Sequence, residues 1–188
     1  MSLPRLLVII GSTRPGRVGP AFAQWFVARA HHHGAFEVEL ADLAEIDLPM
    51  FNEPKHPKFG DYAHQHTKDW SETVNRADAL VFVVPEYNYG YNAATKNAVD
   101  YLNKEWADKA VSFVSYGGIA GGTRAVQQLK QVMTTLRMVP IFESINITFA
   151  ANELDEEHNA KPNVERDEAA DVMLDELSRV TALLRPRK

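Results

Sequence analysis

The sequence predicts an α/β fold, a doubly wound parallel sheet with helices on both faces, as one domain over residues 1–188. Segments of strand length alternate with segments of helical periodicity, the order expected of parallel strands joined by crossover helices. The run at 79–84 is continuously apolar, as in a strand covered on both faces. Three strands end in glycine-rich or aromatic segments, and open α/β sheets bind their ligands at that edge.

The first half of the chain contains two strands, two helices and a long connection. The first strand covers 5–10, and the helix at 17–33 follows it with apolar residues at helical spacing. The second strand, 36–41, alternates apolar and polar residues. The segment 42–63 contains three prolines and is predicted to be a surface loop of functional importance. A helix at 64–77 closes this half.

The second half repeats the strand–helix order three times. Pro85 is expected to end the third strand, since proline cannot donate to a sheet. Asn92 is a suitable N-cap for the next helix. The predicted elements are strands at 79–84, 109–116 and 138–148, and helices at 93–104 and 122–136. A final helix after 163 has a predicted apolar stripe of Val172, Met173, Leu177, Val180 and Leu184.

Composition limits the possible functions. The net charge of −5 provides no basic excess, so a nucleic-acid partner is not expected. The chain has no cysteine, so disulfides, thiolate metal sites and a cysteine nucleophile are excluded, and any redox chemistry requires a bound cofactor. The apolar run near the N-terminus is too short for a signal peptide or a membrane span. A cytoplasmic protein without membrane insertion is expected.

The segment 11–19, GSTRPGRVG, lies between the first strand and the first helix. Its glycines permit a tight turn, and the N–H groups at a helix start attract an anion. Ser12, Thr13, Arg14 and Arg17 add hydroxyl donors and positive charge. The spacing matches neither the dinucleotide fingerprint nor the P-loop. The segment therefore predicts a site for one phosphate, with a glycine turn carrying solvated arginines as the alternative.

The other two segments predict a site for a flat ring. Residues 85–92, PEYNYGYN, offer three tyrosine rings and two amides, and residues 115–124 contain four glycines that permit close approach of a ligand. Tyr87, Tyr89 and Tyr91 suit a heteroaromatic ligand or, alternatively, a subunit contact. Together with the first segment, they describe a phosphate-bearing heteroaromatic ligand.

These three segments, together with KNAVDYL at 96–102, resemble the NADPH-dependent FMN reductases, a family with a flavodoxin-like fold. The resemblance covers about residues 5 to 150 and implies a five-stranded sheet in the order 2-1-3-4-5. It also implies FMN as cofactor and NADPH or NADH as cosubstrate. Many relatives have proline where this chain has Ala93, and Asn92 is expected to make the loss small.

The resemblance also implies which residues bind FMN. The expected phosphate-binding residues are Ser12, Arg14, Arg17, Val18 and Gly19. The expected neighbours of the ribityl chain and ring are Pro85, Glu86, Tyr87 and Asn88. The expected neighbours of the pyrimidine side are Tyr116, Gly117 and Gly118, whose N–H groups would stabilise the reduced flavin. No metal site is expected.

The implied activity is an FMN-dependent NAD(P)H oxidoreductase with ping-pong kinetics. No side chain is predicted to be catalytic, because the flavin itself accepts and passes on the hydride. A quinone, an azo or nitro compound, a metal oxyanion and free flavin all remain possible acceptors. The alternative is a non-catalytic flavin-binding electron carrier or redox-sensing partner. A hydrolase is disfavoured because the chain has no G-x-S-x-G elbow.

Several other polar residues are predicted to have structural roles. The histidines at 31–33 sit at a helix C-terminus, where cations are favoured, and those at 56, 64 and 66 have no fixed metal-ligand spacing. Lys96, Asn97 and Asp100 are assigned to packing and hydrogen bonding at a helix start. A homodimer or homotetramer is expected, because the tyrosine cluster and the helix at 93–104 are predicted to expose apolar surface.

Overall fold

A computed structural model describes residues 2–185 and confirms the flavodoxin-like α/β class. The sheet has the order β2-β1-β3-β5-β6, and β7 also pairs with β5. Apart from the short hairpin strand β4, all strand pairs are parallel. The strands are β1 (Arg5–Ile10), β2 (Glu37–Asp42), β3 (Ala79–Tyr87), β4 (Gly90–Tyr91), β5 (Ala110–Tyr116), β6 (Val139–Pro140) and β7 (Ile145–Ile147).

The strand predicted at 138–148 is two short strands, β6 and β7, along the same edge of β5. Val139 and Ile141 N–H donate to the Lys109 and Val111 carbonyls at 2.9 and 3.0 Å, so the nitrogen of Pro140 between them faces away from β5 and no ladder hydrogen bond is lost. The chain leaves the ladder at 142–144. The Ser112 hydroxyl bridges the gap by donating to the Glu143 carbonyl at 2.6 Å. The expected order 2-1-3-4-5 therefore holds, with its fifth member divided.

The third strand continues through Pro85, contrary to the prediction that it ends there. The Val83 carbonyl faces β1, where it accepts from Gly11 N–H at 2.9 Å. Since alternate residues of a strand face the same neighbour, the Pro85 nitrogen faces that side too, beyond the end of β1. No ladder hydrogen bond is lost there, and Pro85 pairs with Tyr116 on the other side.

Helices cover both faces of the sheet. Helices α1 and α6 pack on one face, where Phe22, Phe26, Met173 and Leu177 are fully buried. Helices α3, α4 and α5 pack on the other around two buried tryptophans. The helices are α1 (Gly19–His33), α2 (Leu43–Ile46), α3 (Gln65–Arg76), α4 (Ala93–Asp100), α5 (Thr123–Thr135) and α6 (Val164–Leu184).

Two predictions about which apolar side chains of the helices are exposed or buried were wrong. Helix α4 ends at Asp100, and Val99 and Leu102 of the segment 93–104 are buried, so this segment does not supply the predicted apolar patch. In α6, Val172 is exposed, and Ala170 and Leu174 take its place in the core with Met173 and Leu177. The helix drifts relative to a strict repeat, so a stripe read from sequence can be displaced by one position.

The long connection between β2 and α3 is pinned to the rest of the chain. Asn97 accepts from Phe51 N–H at 2.9 Å and donates to the Pro49 carbonyl at 2.7 Å. The nearly buried Glu53 carboxylate accepts from the N–H groups of Ala63 and His64. The connection also contains α2 and a short 3₁₀ turn at Pro57–Phe59. Its position is therefore fixed by specific hydrogen bonds.

None of the helices within residues 2–185 is both long and apolar enough to cross a membrane. Over the same residues, no group of three histidine, aspartate or glutamate side chains is placed to hold a metal ion. His64 and His66 stack on each other at 5.1 Å, and each has a ring nitrogen 3.3 Å from an oxygen of Asn52.

Candidate functional site

Three loops come together at the carboxyl edge of the sheet because β1, β3 and β5 are neighbours. Loop A, residues 11–18, follows β1. Loop B, residues 85–92, includes the end of β3 and the hairpin to β4. Loop C, residues 117–122, follows β5 and leads into α5. Loops B and C touch: a Cβ added to Gly117 would lie 3.4 Å from the Glu86 Cβ.

Loop A forms a tight turn into α1. Gly16 has a φ of 69°, and Arg17 N–H closes the turn on the Arg14 carbonyl at 3.1 Å. A Cβ on Gly11 would lie 2.2 Å from the Thr95 hydroxyl, so only glycine fits there. The first turn of α1 has no acidic residue. The positive end of this fifteen-residue helix is thus available to an anion.

Arg17 is committed to an ion pair within the protein. Its two terminal nitrogens donate to the two carboxylate oxygens of Asp42 at 2.5 and 2.6 Å, and one also donates to the Ser12 carbonyl at 2.5 Å. Both side chains are largely buried. The hydrogen bond to Asp42 raises the Arg17 pKa further. The arginine therefore orders loop A from behind, which does not support the direct phosphate contact expected for it.

Arg14 lies on the same loop with different surroundings. It is exposed, and none of the ion pairs found within residues 2–185 includes it. Its guanidinium can therefore turn toward an anion at the start of α1 without breaking an existing contact. Of the two arginines expected at the phosphate, Arg14 is the one that the geometry favours.

Two buried hydroxyl groups face the start of α1. Ser12 is fully buried and Tyr116 is 5 % exposed, and neither side-chain oxygen has a hydrogen-bond partner among the described residues. A Cβ on Gly19 would lie 2.6 Å from both oxygens. Burial raises the Tyr116 pKa, so the phenol stays protonated. The resemblance implies that Tyr116 lies beside the ring; its hydroxyl faces Gly19, the first residue of α1.

Loop B turns back as a two-residue hairpin. Glu86 pairs with Tyr91 and Tyr87 with Gly90, leaving Asn88 and Tyr89 at the turn with φ of 49° and 70°. Two positive φ angles are typical of a type I′ turn, for which asparagine is well suited. Tyrosine rarely adopts this conformation, so Tyr89 requires support from its surroundings.

Helix α5 supplies that support. The Arg124 guanidinium lies 3.6 Å from the centre of the Tyr89 ring, and Gln128 donates to the Tyr89 carbonyl at 3.0 Å. Arg124 also donates from Nε and from its backbone N–H to the Glu86 carboxylate, at 2.6 and 3.1 Å. The Glu86 side chain is only 6 % exposed. Glu86 thus clamps loop B to α5, a role that needs no proton transfer.

Loop C is formed by glycines. Gly121 and Gly122 have φ of 56° and 88°, and a Cβ on Gly122 would lie 2.6 Å from the Ser115 Cβ. Gly117 N–H donates to the Ile147 carbonyl at 3.1 Å, so it is not free for a ring carbonyl as expected. Gly118 has no atom within 4 Å of an added Cβ. Its open face leaves room for a flat ligand.

Asn92 links loops A and B in a way that sequence reasoning missed. Its side chain does not cap α4. It donates instead to the Gly11 carbonyl at 2.6 Å and accepts from the Thr95 hydroxyl at 2.8 Å. Lys96 pairs with Asp100, and Asn97 holds the long connection, as their predicted structural roles require. An asparagine directly after the hairpin strand β4 carries no sequence signal for this contact.

The donors and open space fit a flavin mononucleotide. The start of α1, the two unpaired hydroxyls and Arg14 suit a phosphate. The exposed faces of Tyr87 and Gly118 leave space for a ring beside loops B and C. A flavodoxin-like sheet with such donors at its carboxyl edge is typical of FMN-binding α/β proteins.

The comparisons with known proteins agree. Residues 4–152 match the family model for NADPH-dependent FMN reductase, and this chain belongs to that family. An NAD(P)H-dependent FMN reductase of Schizosaccharomyces pombe is 43% identical over 137 residues, covering 72% of this chain and 68% of its own. An NAD(P)H:quinone oxidoreductase of Solanum tuberosum is 42% identical over 99 residues, covering 51% and 49%.

A solved structure shows the same fold. The flavoenzyme NAD(P)H:(acceptor) oxidoreductase of Paracoccus denitrificans superposes with a TM-score of 0.76 at 19% identity, covering 96% of this chain and 98% of its own. The chain is accordingly an FMN-dependent NAD(P)H oxidoreductase. This assignment confirms the predicted enzyme class and the FMN and NAD(P)H predictions, and it does not support the electron-carrier alternative.

Proposed function

We propose that this enzyme passes electrons from NADPH, through FMN bound by loops A, B and C, to a small planar acceptor of the quinone class. The observation that carries the proposal is a rim of exposed apolar side chains around the three loops. Its members and their exposures are Met50 (78%), Tyr87 (37%), Tyr89 (66%), Ile119 (77%) and Phe149 (56%). A flat apolar acceptor matches such a rim.

We assign the cofactor contacts as follows. The phosphate is held by the Ser12 hydroxyl, the Arg14 guanidinium and the N–H groups of Val18 and Gly19 at the start of α1. The ribityl chain and ring lie along Pro85, Glu86, Tyr87 and Asn88, and the pyrimidine side lies toward Gly117 and Gly118. Arg17 and Tyr116 act behind the phosphate.

The side chains of this site bind and orient, and none is assigned proton transfer. FMN, when bound, supplies the hydride-accepting atom. Loop B is held in one conformation by the Glu86–Arg124 pair and by the stacking of Arg124 on Tyr89. Loop C is held by glycine turns and by the Ser115 hydroxyl, which donates to the Gly121 carbonyl at 2.8 Å. Such preorganisation fixes the stacking distance for a nicotinamide or an acceptor.

The relatives support the proposed acceptor class. The name of the potato relative specifies a quinone as acceptor, and that of the Paracoccus flavoenzyme leaves the acceptor open. An acceptor with a flat ring can use the same exposed face as the nicotinamide, which gives ping-pong kinetics.

The test is anaerobic. The FMN-loaded protein is reduced with NADPH until its absorption bleaches, and it is then mixed with 1,4-benzoquinone, an azo dye or free FMN in separate stopped-flow runs. The quinone is expected to restore the oxidised spectrum fastest. Faster reoxidation by the azo dye or by free FMN would contradict the proposed acceptor class. Repeating the reduction with NADH checks the preference for NADPH.

We also propose that the chain acts as one FMN-binding domain and assembles as a homodimer or homotetramer. The exposed tyrosines of loop B support an assembly, because Tyr is enriched at interfaces and one of these tyrosines is 66% exposed. Light scattering is expected to give a mass above the 21.1 kDa of one chain. A mass of one chain at micromolar concentration would contradict this. The cytoplasmic location remains a prediction.

A further inference from the structure

The two buried hydroxyl groups behind loop A need a partner. The side-chain oxygens of Ser12 and Tyr116 make no hydrogen bond within residues 2–185, and both residues are at least nine-tenths buried. A buried hydroxyl without a partner loses its hydrogen bonds to water and gains nothing in return. Their position therefore indicates that a ligand or a shared hydrogen bond completes them.

The position of the Tyr116 hydroxyl is fixed. The backbone of this residue pairs with Pro85 on one side and Ile147 on the other. Its ring packs against Phe22 of α1, with 5.6 Å between the ring centres. The phenol therefore ends beneath the first residue of α1, where Gly19 leaves room for it.

The position of Ser12 is fixed as well. Its carbonyl accepts from Arg17, which is itself held by Asp42. Its hydroxyl lies as close to the Gly19 Cβ position as the Tyr116 hydroxyl does, so the two oxygens are at most twice that 2.6 Å contact apart. The Ser12 hydroxyl is close enough to the phenol to lower the Tyr116 pKa, against the larger effect of burial, so the two groups lie within reach of each other.

We propose that Tyr116 is a positioning residue for the FMN phosphate and acts through Ser12. The Tyr116 O–H donates to Ser12 Oγ, and this leaves the Ser12 O–H to donate to a phosphate oxygen at the start of α1. The inference rests on the proposed FMN site and gives Tyr116 a role at the phosphate, whereas the family resemblance implies that it lies on the pyrimidine side of the flavin. A neutral phenol suits the role, since it donates without adding charge.

The prediction separates the phosphate from the rest of the flavin. Riboflavin has the same ring and ribityl chain as FMN and lacks the phosphate. Tyr116→Phe removes the phenol that donates to Ser12, the residue proposed to donate to the phosphate. The FMN affinity is expected to fall about 5- to 30-fold, as for the loss of one such hydrogen bond. The affinity for riboflavin is expected to stay within about twofold.

The experiment measures dissociation constants for FMN and riboflavin by flavin fluorescence titration of the apoprotein. The variants are Tyr116→Phe, Ser12→Ala and the double variant. Because Tyr116 acts through Ser12, the double variant is expected to lose no more affinity than Ser12→Ala alone. Tyr101→Phe is the matched control: its hydroxyl is paired with the Pro49 carbonyl and Asn52, both at 3.0 Å, so neither affinity should change.

Three results would overturn the inference. The first is an unchanged FMN affinity in Tyr116→Phe, the second an equal loss for FMN and riboflavin, and the third additive losses in the double variant. If Tyr116→Phe does not fold, Ser12→Ala decides by the same FMN-to-riboflavin comparison. Failure of the quinone proposal is distinguishable, because these titrations contain neither NADPH nor acceptor.

Discussion

Substitution of the two arginines of loop A is expected to affect different properties: Arg17→Ala lowers stability, and Arg14→Ala lowers FMN affinity. Arg17→Ala leaves the Asp42 carboxylate, whose side chain is only 12% exposed, without its partner and without two hydrogen bonds. Breaking a buried pair costs about 3–5 kcal/mol. Because this pair keeps some contact with water, we expect the free energy of unfolding to fall by about 2–4 kcal/mol.

Arg14→Ala is the matched substitution on the same loop. Arg14 is exposed, so stability is expected to change by less than about 0.5 kcal/mol. The FMN affinity is expected to fall about 10- to 150-fold, the equivalent of about 1.5–3 kcal/mol for a charge-assisted hydrogen bond. Urea unfolding of each apoprotein and FMN titration of each folded variant measure both quantities.

Asp42→Asn tests the cause of the instability. Asparagine retains an oxygen that can accept from Ala44 N–H, as Asp42 does at 2.9 Å. Combining it with Arg17→Ala removes the uncompensated charge, so the double variant is expected to be more stable than Arg17→Ala. If Arg17→Ala is as stable as the wild type yet loses FMN affinity as Arg14→Ala does, Arg17 is a phosphate ligand and the reasoning is wrong.

Three further predictions follow from the fold. Glu86→Gln is expected to lower the free energy of unfolding by about 1–3 kcal/mol, because Arg124 loses its ion pair with a buried carboxylate. The variant is expected to keep substantial turnover. Stopped-flow flavin reduction checks this, and loss of reduction with FMN and NADPH still bound would contradict it. Asn97→Ala is expected to speed amide hydrogen exchange at 50–52, where Phe51 N–H loses its acceptor, and to change the acceptor KM at full FMN occupancy. Loss of flavin would instead show that the connection is needed for the FMN site. Burial lowers the Lys109 pKa to about 8 from 10.5, so the unfolded chain binds more protons between these values, and stability from this group rises with pH across that window. Lys109→Met should therefore be more stable than the wild type at neutral pH and lose most of that advantage near pH 10.5. An equal difference in urea unfolding at neutral pH and near pH 10.5 would contradict the lowered pKa.

The sequence determined the class of fold and the edge at which the site lies. Apolar runs of strand length that alternate with segments of helical periodicity are compatible with few topologies. In a parallel sheet the carboxyl ends of all strands lie at the same edge. The glycine-rich turn after β1 and the four glycines after β5 indicated close backbone approach to a ligand. Motifs of this kind are local, so they can be found before the chain is folded.

Tertiary structure alone decided which donors are free to bind. Arg14 and Arg17 are equivalent in sequence, and only the neighbouring β2, which brings Asp42 alongside, commits one of them to an ion pair. The family resemblance implies that Tyr116 lies beside the ring, and only the packing of β5 under α1 brings its hydroxyl close to Gly19. Pro85 continues a strand because β1 has already ended beside it. Each outcome depends on a partner distant in sequence, and a hydrogen-bonding group has no fixed role until that partner is in place.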